Sequence, residues 1–304
     1  MSKQARGYSL LLLTAMIWGC AFVAQSVGMD YIGPFTFQAV RCLLGAITLV
    51  PVLLIRKALP AGGRPAKSGN KTLLLGGVLC GTVLFAATNL QQFGLCHTTV
   101  SKSGFISALY ILIVPILGLF LHKKVKPIVW GCLLAACLGL YLLSMEGGVG
   151  AISVGDVLTL CSAACFAVHI LVIDYFSPRV DGVKLSFLQF TVSSLLSALC
   201  MILWETPKLP AILNCWLPLC YTGIMSSGVA YTLQILAQRD TKPAVATLLM
   251  SLESVFAAVF GWLLLKETLS VRQLLGCAIL FAATVLALLP QKNVRWASKQ
   301  QLKN

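Results

Sequence analysis

SLLLLTAMIWGCAFVAQSVGM, residues 9–29, contains no charged side chain. A helix rises about 1.5 Å per residue, so about 20 apolar residues cross a hydrocarbon core about 30 Å thick. Lys3 and Arg6 precede the run, as basic residues precede the core of a signal peptide. The chain is uncharged from Gly7 to Met29, however, longer than the about 7–15 apolar residues of such a core, and no small-x-small cleavage site ends it clearly. We read it as a retained transmembrane helix. Nine more runs of similar length follow: Pro34–Ile55, Thr72–Leu95, Ser101–Leu121, Pro127–Met145, Gly155–Phe176, Val183–Trp204, Cys215–Ala237, Pro243–Leu265 and Ser270–Leu289. What remains of the 304 residues is loops and tails, with no room for a soluble catalytic domain. Composition agrees: 58% of residues are hydrophobic and 11% charged, where a water-facing domain carries about 25% charged residues. The fold class expected is all-α integral membrane with ten transmembrane helices.

The net charge of +14 is then a question of which loops hold it. With the N-terminus in the cytoplasm, eighteen of the 23 lysines and arginines fall on the cytoplasmic side. Four (Lys102, Lys208, Lys266 and Arg272) lie on the other side, and Arg41 lies within a span. That bias places both termini in the cytoplasm of a multi-pass cell-membrane protein, with the basic excess facing lipid headgroups rather than nucleic acid. Leu59–Asn70, rich in Gly, Pro and basic residues, reads as a flexible cytoplasmic linker, and residues 291–304 as a basic cytoplasmic tail. Most of the twelve cysteines lie inside apolar runs, where a thiol behaves as a small apolar group; with three scattered histidines they suggest neither disulfides nor a metal site. No cofactor is expected.

The two halves of the chain resemble each other. TAMIWGCAFVAQ (14–25) lies over SAACFAVHILVI (162–173), repeating a small-xxx-small pair that lets helices pack closely. Gln38 then lies over Gln189, Asn89-Leu90-Gln91 over Thr232-Leu233-Gln234, and Tyr110 over Glu253. Five helices followed by five place the second half in the opposite orientation, the inverted-topology repeat of many secondary transporters. The boundaries expected are 1–146 and 151–290.

The opening AMIWGCAFVAQ, then GPFTFQAVRCLLGAI (33–47) and above all SLESVFAAVFGWLLLKETLSVRQLLGCAIL (251–280), resemble the drug/metabolite transporter superfamily, in its EamA-like ten-helix branch. The resemblance runs from about Gly7 to Pro290, and departs from it at Ser254, where relatives often carry Pro, and at the basic turn His122-Lys123-Lys124. It implies a central cavity lined by helices one to four and six to nine, with five and ten peripheral.

Ionisable side chains inside a span are costly unless partnered and are functional candidates by default. Arg41, about 10 Å below the outer edge by helical rise, offers a planar fork to a carboxylate or phosphate. Glu253, near the midplane, would meet an ammonium group or carry a proton. A second reading has the two neutralise one another, or bond Gln and backbone neighbours, to hold helices two and nine together. A softer polar set comprises Trp18, Gln25, Gln38, Asn89, Gln91, Gln92, Tyr110, His169, Gln189, Tyr231 and Gln234, each either a cavity wall or ordinary interhelical glue. Pro115 removes a backbone bond from helix four and is a candidate gating point, and Gly77-xxx-Gly81 reads as a close helix contact.

Rival classes fare worse. Met225-Ser226-Ser227-Gly228 lacks the leading Gly of an intramembrane serine protease, Ser153-Val154-Gly155-Asp156 fails at the first position of the aspartyl type, and no Walker A stretch occurs. No ring of charge suggests a channel. The reading is a secondary transporter, not an enzyme, and the resemblance favours an exporter of small polar metabolites such as amino acids. Lipophilic-cation drug efflux is the alternative. Proton coupling and a homodimer are both compatible with this reading, and membrane lipids are its obligate surroundings.

Overall fold

The computed structural model describes residues 3–58, 69–98, 100–123, 125–144, 152–265 and 269–289. Most of the expected cytoplasmic linker, the basic tail, the boundary between the two halves and Lys266-Glu267-Thr268 of the family-like turn lie outside the described residues. Among the described residues the chain is helical with short connections and no strand.

Among the described residues, nine helical stretches are long and apolar enough to cross a membrane, and they match nine of the ten expected runs. The helices are α1 (Lys3–Met29), α2 (Pro34–Ala58), α3 (Asn70–Leu95), α4 (Val100–Ala108), α5 (Tyr110–Phe120), α6 (Pro127–Ser144), α7 (Val154–Phe176) and α8 (Gly182–Trp204). They continue with α9 (Leu209–Asn214), α10 (Trp216–Cys220), a π-helix (Tyr221–Tyr231), α11 (Thr232–Gln238), α12 (Pro243–Met250), α13 (Glu253–Leu265) and α14 (Val271–Leu288). The run expected at Cys215–Ala237 is helical too, but it changes winding twice as α10, the π-helix and α11 follow without a gap. The fourth and ninth expected runs are each interrupted once, at Leu109 and at Ser251-Leu252. The positions that follow these breaks are Tyr110 and Glu253, the residues that the repeat alignment sets opposite one another.

Pro115 lies within α5, buried, while the break in the fourth run falls at Leu109, more than a turn earlier. Its ring obstructs the carbonyl four residues back, at Ile111, so the interruption is not at the bond that proline deletes.

The surface inverts the soluble pattern. Phe120 is 78% exposed, Trp204 69% and Leu54 62%, while Gln38, His169, Gln189 and Ser197 are all fully buried. Water would penalise such an outer face, and lipid does not, so the polar groups turn inward where they find partners. Packing between helices relies on glycine. A Cβ on Gly77 would come within 2.5 Å of Leu188 Cβ, and one on Gly81 within 2.6 Å of Val192 Cβ and 2.7 Å of the Gln189 carbonyl, so α3 lies directly against α8. Gly19 brings α1 equally close to α13 at Phe256 and Ala257. The fifth and tenth spans, α6 and α14, face each other through Gly139 and Gly276, each against the other's carbonyl. They pack as a pair.

Ends are capped locally. Ser153 and Asp156 form a capping box on α7, with Asp156 also held by Lys102 at 2.5 Å and Thr98 at 2.7 Å. Asp181 caps α8 and pairs with Arg56 at the end of α2 at 3.1 Å. The start of α2 is capped from a distance by Glu205, just past α8: one carboxylate oxygen accepts the Phe35 N–H at 2.9 Å, the other the Thr36 N–H at 2.8 Å and the Thr36 hydroxyl at 2.6 Å.

Candidate functional site

The site begins where α2 meets the π-helix. Gly45, Gly223 and Gly228 let the two backbones close up; a Cβ on Gly223 would lie 3.1 Å from the Arg41 carbonyl, and one on Gly45 2.8 Å from Ser227 Cβ. One turn from Gly45, Arg41 therefore extends along this seam rather than into lipid, and it is 4% exposed. Its Nε–H donates to Ser227 Oγ at 3.0 Å, Nη2 to Ser226 Oγ at 3.0 Å and Nη1 to Gln25 Oε1 at 2.8 Å. A guanidinium carries five N–H groups, one on Nε and two on each terminal nitrogen. Three are used here, which leaves one on each terminal nitrogen for an anionic group to meet.

Across the chamber stands Glu253, 6% exposed. The Tyr110 hydroxyl donates to its Oε1 at 3.4 Å, so the two half-helices that start at these residues meet through their first side chains. Arg41 and Glu253 line the same chamber without forming an ion pair. The side-chain contact that Arg41 makes on this side is with Gln25, one of the Gln neighbours that the second reading considers.

Around the charges the wall is aromatic and amide-bearing. Tyr231 sits at the hub, its ring 4.7 Å from Trp18, 5.6 Å from Phe190 and 6.1 Å from His169. The Trp18 indole N–H donates to the Ser226 carbonyl at 3.4 Å, and Gln91 donates to Ser107 Oγ at 3.0 Å. Gln234 also faces the chamber, and its side-chain oxygen has no partner among the described residues. The chamber has a volume of about 50 Å³. Organic ligands need pockets of about 300 Å³ or more, so the chamber is narrower here than a bound substrate requires. By contrast, a mouth of about 970 Å³ opens at the end of the bundle that carries Gln4, Lys123, Asp174, Arg239 and Lys242. Tyr110 to Val114 on α5 and Gln234 to Gln238 on α11 lead from chamber to mouth by successive turns. Pro115 lines this mouth, not the chamber.

Of the thirteen side chains that the sequence nominates, nine line the chamber: Arg41, Glu253, Trp18, Gln25, Gln91, Tyr110, His169, Tyr231 and Gln234. Four do not. Asn89 turns to α8, where it donates to Ser197 Oγ at 3.1 Å. Gln38 donates to Gln92 Oε1 at 3.1 Å, Gln92 donates to the Gln25 carbonyl at 3.2 Å, and Gln189 stands behind the wall, 3.1 Å from His169 Nε2. The chamber adds Phe22, Ser107, Phe166, Met250 and Ser226, for which apolar or hydroxyl identity gave no signal. Among the described residues no group of three or more His, Cys, Asp or Glu could hold a metal.

Comparison with known proteins finds the sequence profile of the EamA-like transporter family matching twice, over residues 5–145 and 153–289. The chain is 31% identical over 278 residues to an uncharacterised transporter of Archaeoglobus fulgidus, covering 91% of this chain and 83% of that one. It is 29% identical over 288 residues to the threonine/homoserine exporter RhtA of Escherichia coli, covering 91% and 88%. A crystal structure matches with a TM-score of 0.76 at 18% identity, over 94% of this chain and 97% of the other.

Proposed function

The chain belongs to the EamA-like transporter family, and from that membership we propose that it is a secondary exporter of small zwitterionic metabolites. It is thus a multi-pass membrane transporter of small molecules, and its finer role follows from the chamber. One observation carries the reading: Arg41 keeps a free N–H on each terminal nitrogen while Glu253 pairs with no cation among the described residues, and both face one chamber. An amino acid brings the carboxylate that the first lacks and the ammonium that the second lacks. Trp18, Phe22, Phe166 and Tyr231 offer apolar cover for a short side chain. The exporter of threonine and homoserine among the relatives makes those two amino acids the first candidates.

A buried carboxylate is costly without a partner, so a proton and the substrate ammonium compete for Glu253. Export is then coupled to proton exchange. The wide mouth lies on the side that the lysine and arginine bias makes cytoplasmic, which suits loading from within the cell. The halves 1–146 and 151–290 rock against each other as inverted repeats; the twofold profile match and the breaks before Tyr110 and Glu253 support this.

A lipophilic cation is the competing substrate. It would suit Glu253 and the aromatic walls, but Arg41 would share its chamber as an unanswered like charge. Counterflow in proteoliposomes tests the choice: preloaded L-threonine or L-homoserine should drive uptake of labelled L-threonine, and tetraphenylphosphonium should not. Counterflow of the phosphonium with none of threonine would replace this reading with drug efflux.

A further inference from the structure

The eighth membrane run changes winding where it touches Arg41. In an α-helix successive side chains diverge by about 100° around the axis, so two neighbours in sequence do not share one target. Hydrogen bonds from i to i+5 widen the turn and reduce that angle. Ser226 and Ser227 stand in the middle of the π-helix, both fully buried, and their hydroxyls reach adjacent nitrogens of a single side chain, Nη2 and Nε. The segment is also pinned from both sides. Gly45 and Gly228 hold it on α2, and the Trp18 indole and Tyr221 hydroxyl tie it to α1, the latter by donating to the Ile17 carbonyl at 2.8 Å.

We infer that Ser226 and Ser227 are positioning residues, presented by the π-helix, that aim Arg41 at the carboxylate of the substrate. The inference rests on the zwitterion reading of the chamber and adds residues to it. The two serines occupy the edge formed by Nε and Nη2, and Gln25 takes one N–H of Nη1. The guanidinium can then neither swivel nor spend its side edge on the substrate. A carboxylate is left one N–H of each terminal nitrogen. Hydroxyls suit this task because they accept from the cation without cancelling its charge, whereas a carboxylate at either position would neutralise Arg41 and remove its use as an anion site.

The test uses the full-length protein and the variants Ser226→Ala, Ser227→Ala, and Ser→Thr at each position. Hydrogen exchange of the Arg41 Nε–H is read by NMR on ¹⁵Nε-arginine-labelled protein in detergent, with the resonance assigned from Arg41→Lys. In parallel, KM and kcat for L-threonine are measured in proteoliposomes. Expected are at least tenfold faster Nε–H exchange in Ser227→Ala and about a tenfold rise in KM in each alanine variant with kcat little changed, the size of one lost hydrogen bond to a charged group. Threonine at each position should restore both. Unchanged exchange in Ser227→Ala overturns the inference whatever transport does. Faster exchange with unchanged KM also overturns it, because the bond would then hold the helix seam and not aim the arginine. If the wild type does not carry threonine, the exporter reading fails instead, and the exchange rates alone decide whether the serines hold Arg41.

Discussion

Removing the Glu205 carboxylate should loosen the end of the bundle opposite the wide mouth. Pro34 opens α2 and has no N–H, so the first donors of that helix are those of Phe35 and Thr36, and both point at Glu205. Gly33 makes room for this: a Cβ there would lie 2.5 Å from the carboxyl carbon. Phe35 then packs 4.9 Å from Phe93 and 5.8 Å from Trp204, so the starts and ends of α2, α3 and α8 are fastened at one point. Three hydrogen bonds to a charged acceptor would be worth about 4.5–9 kcal/mol if fully buried. Glu205 is only half-buried, and measured losses of helix N-caps run about 0.5–2 kcal/mol, so we take about 2 kcal/mol for Glu205→Ala. If those bonds exist only while this end is closed, the open fraction rises about thirtyfold. The assay is the labelling rate of Phe22→Cys, a chamber position, by an impermeant thiol reagent applied from the Glu205 side, with the other reactive cysteines replaced by serine. Glu205→Gln, which keeps one acceptor, should fall between wild type and alanine. If Glu205→Ala lowers thermal stability while leaving the labelling rate unchanged, Glu205 is a cap and not part of a closure, and the reasoning fails.

Gly81→Val should cost about 1–3 kcal/mol through overpacking against Val192 and the Gln189 carbonyl, seen as a lower unfolding midpoint in detergent, whereas Gly104→Ala, where a Cβ meets nothing within 4 Å, should leave it unmoved. Asn89→Ala should lower stability by about 0.6 kcal/mol through loss of the Ser197 contact and leave KM for threonine unchanged; a raised KM would return Asn89 to the substrate path. Lys208→Cys should react with an impermeant reagent in intact cells and Lys242→Cys should not, and the reverse pattern would invert the orientation of the mouth.

The spans were legible because hydropathy needs only length and the absence of charge, and Arg41 and Glu253 because a charge in an apolar run stands out. Which way a softer polar residue faces was not legible. In water an amphipathic stripe marks the buried face of a helix, but lipid is as apolar as the protein core, so Asn89 and Gln91, two positions apart, look alike in sequence. Asn89 faces Ser197 on α8 and Gln91 faces the chamber. The π-helix left no trace either: no residue type within 221–231 marks winding by five rather than four, and Gly223 and Gly228, which meet α2, look like ordinary small-residue contacts. Ser226 and Ser227 drew notice only as an incomplete protease motif, and their partner, Arg41, lies 185 and 186 positions away.

The central claim is that Arg41 and Glu253 are two halves of a substrate site rather than a structural pair, and a double-mutant cycle of Arg41→Gln and Glu253→Gln, scored on both stability and L-threonine flux, tests it most directly. Because no ion pair joins them, the account expects each single variant to stay folded and lose transport, the double variant to remain inactive, and the coupling free energy for stability to fall well below the about 3–5 kcal/mol of a broken buried pair. Wild-type flux in either single variant, or recovery of stability and flux in the double variant, would contradict it.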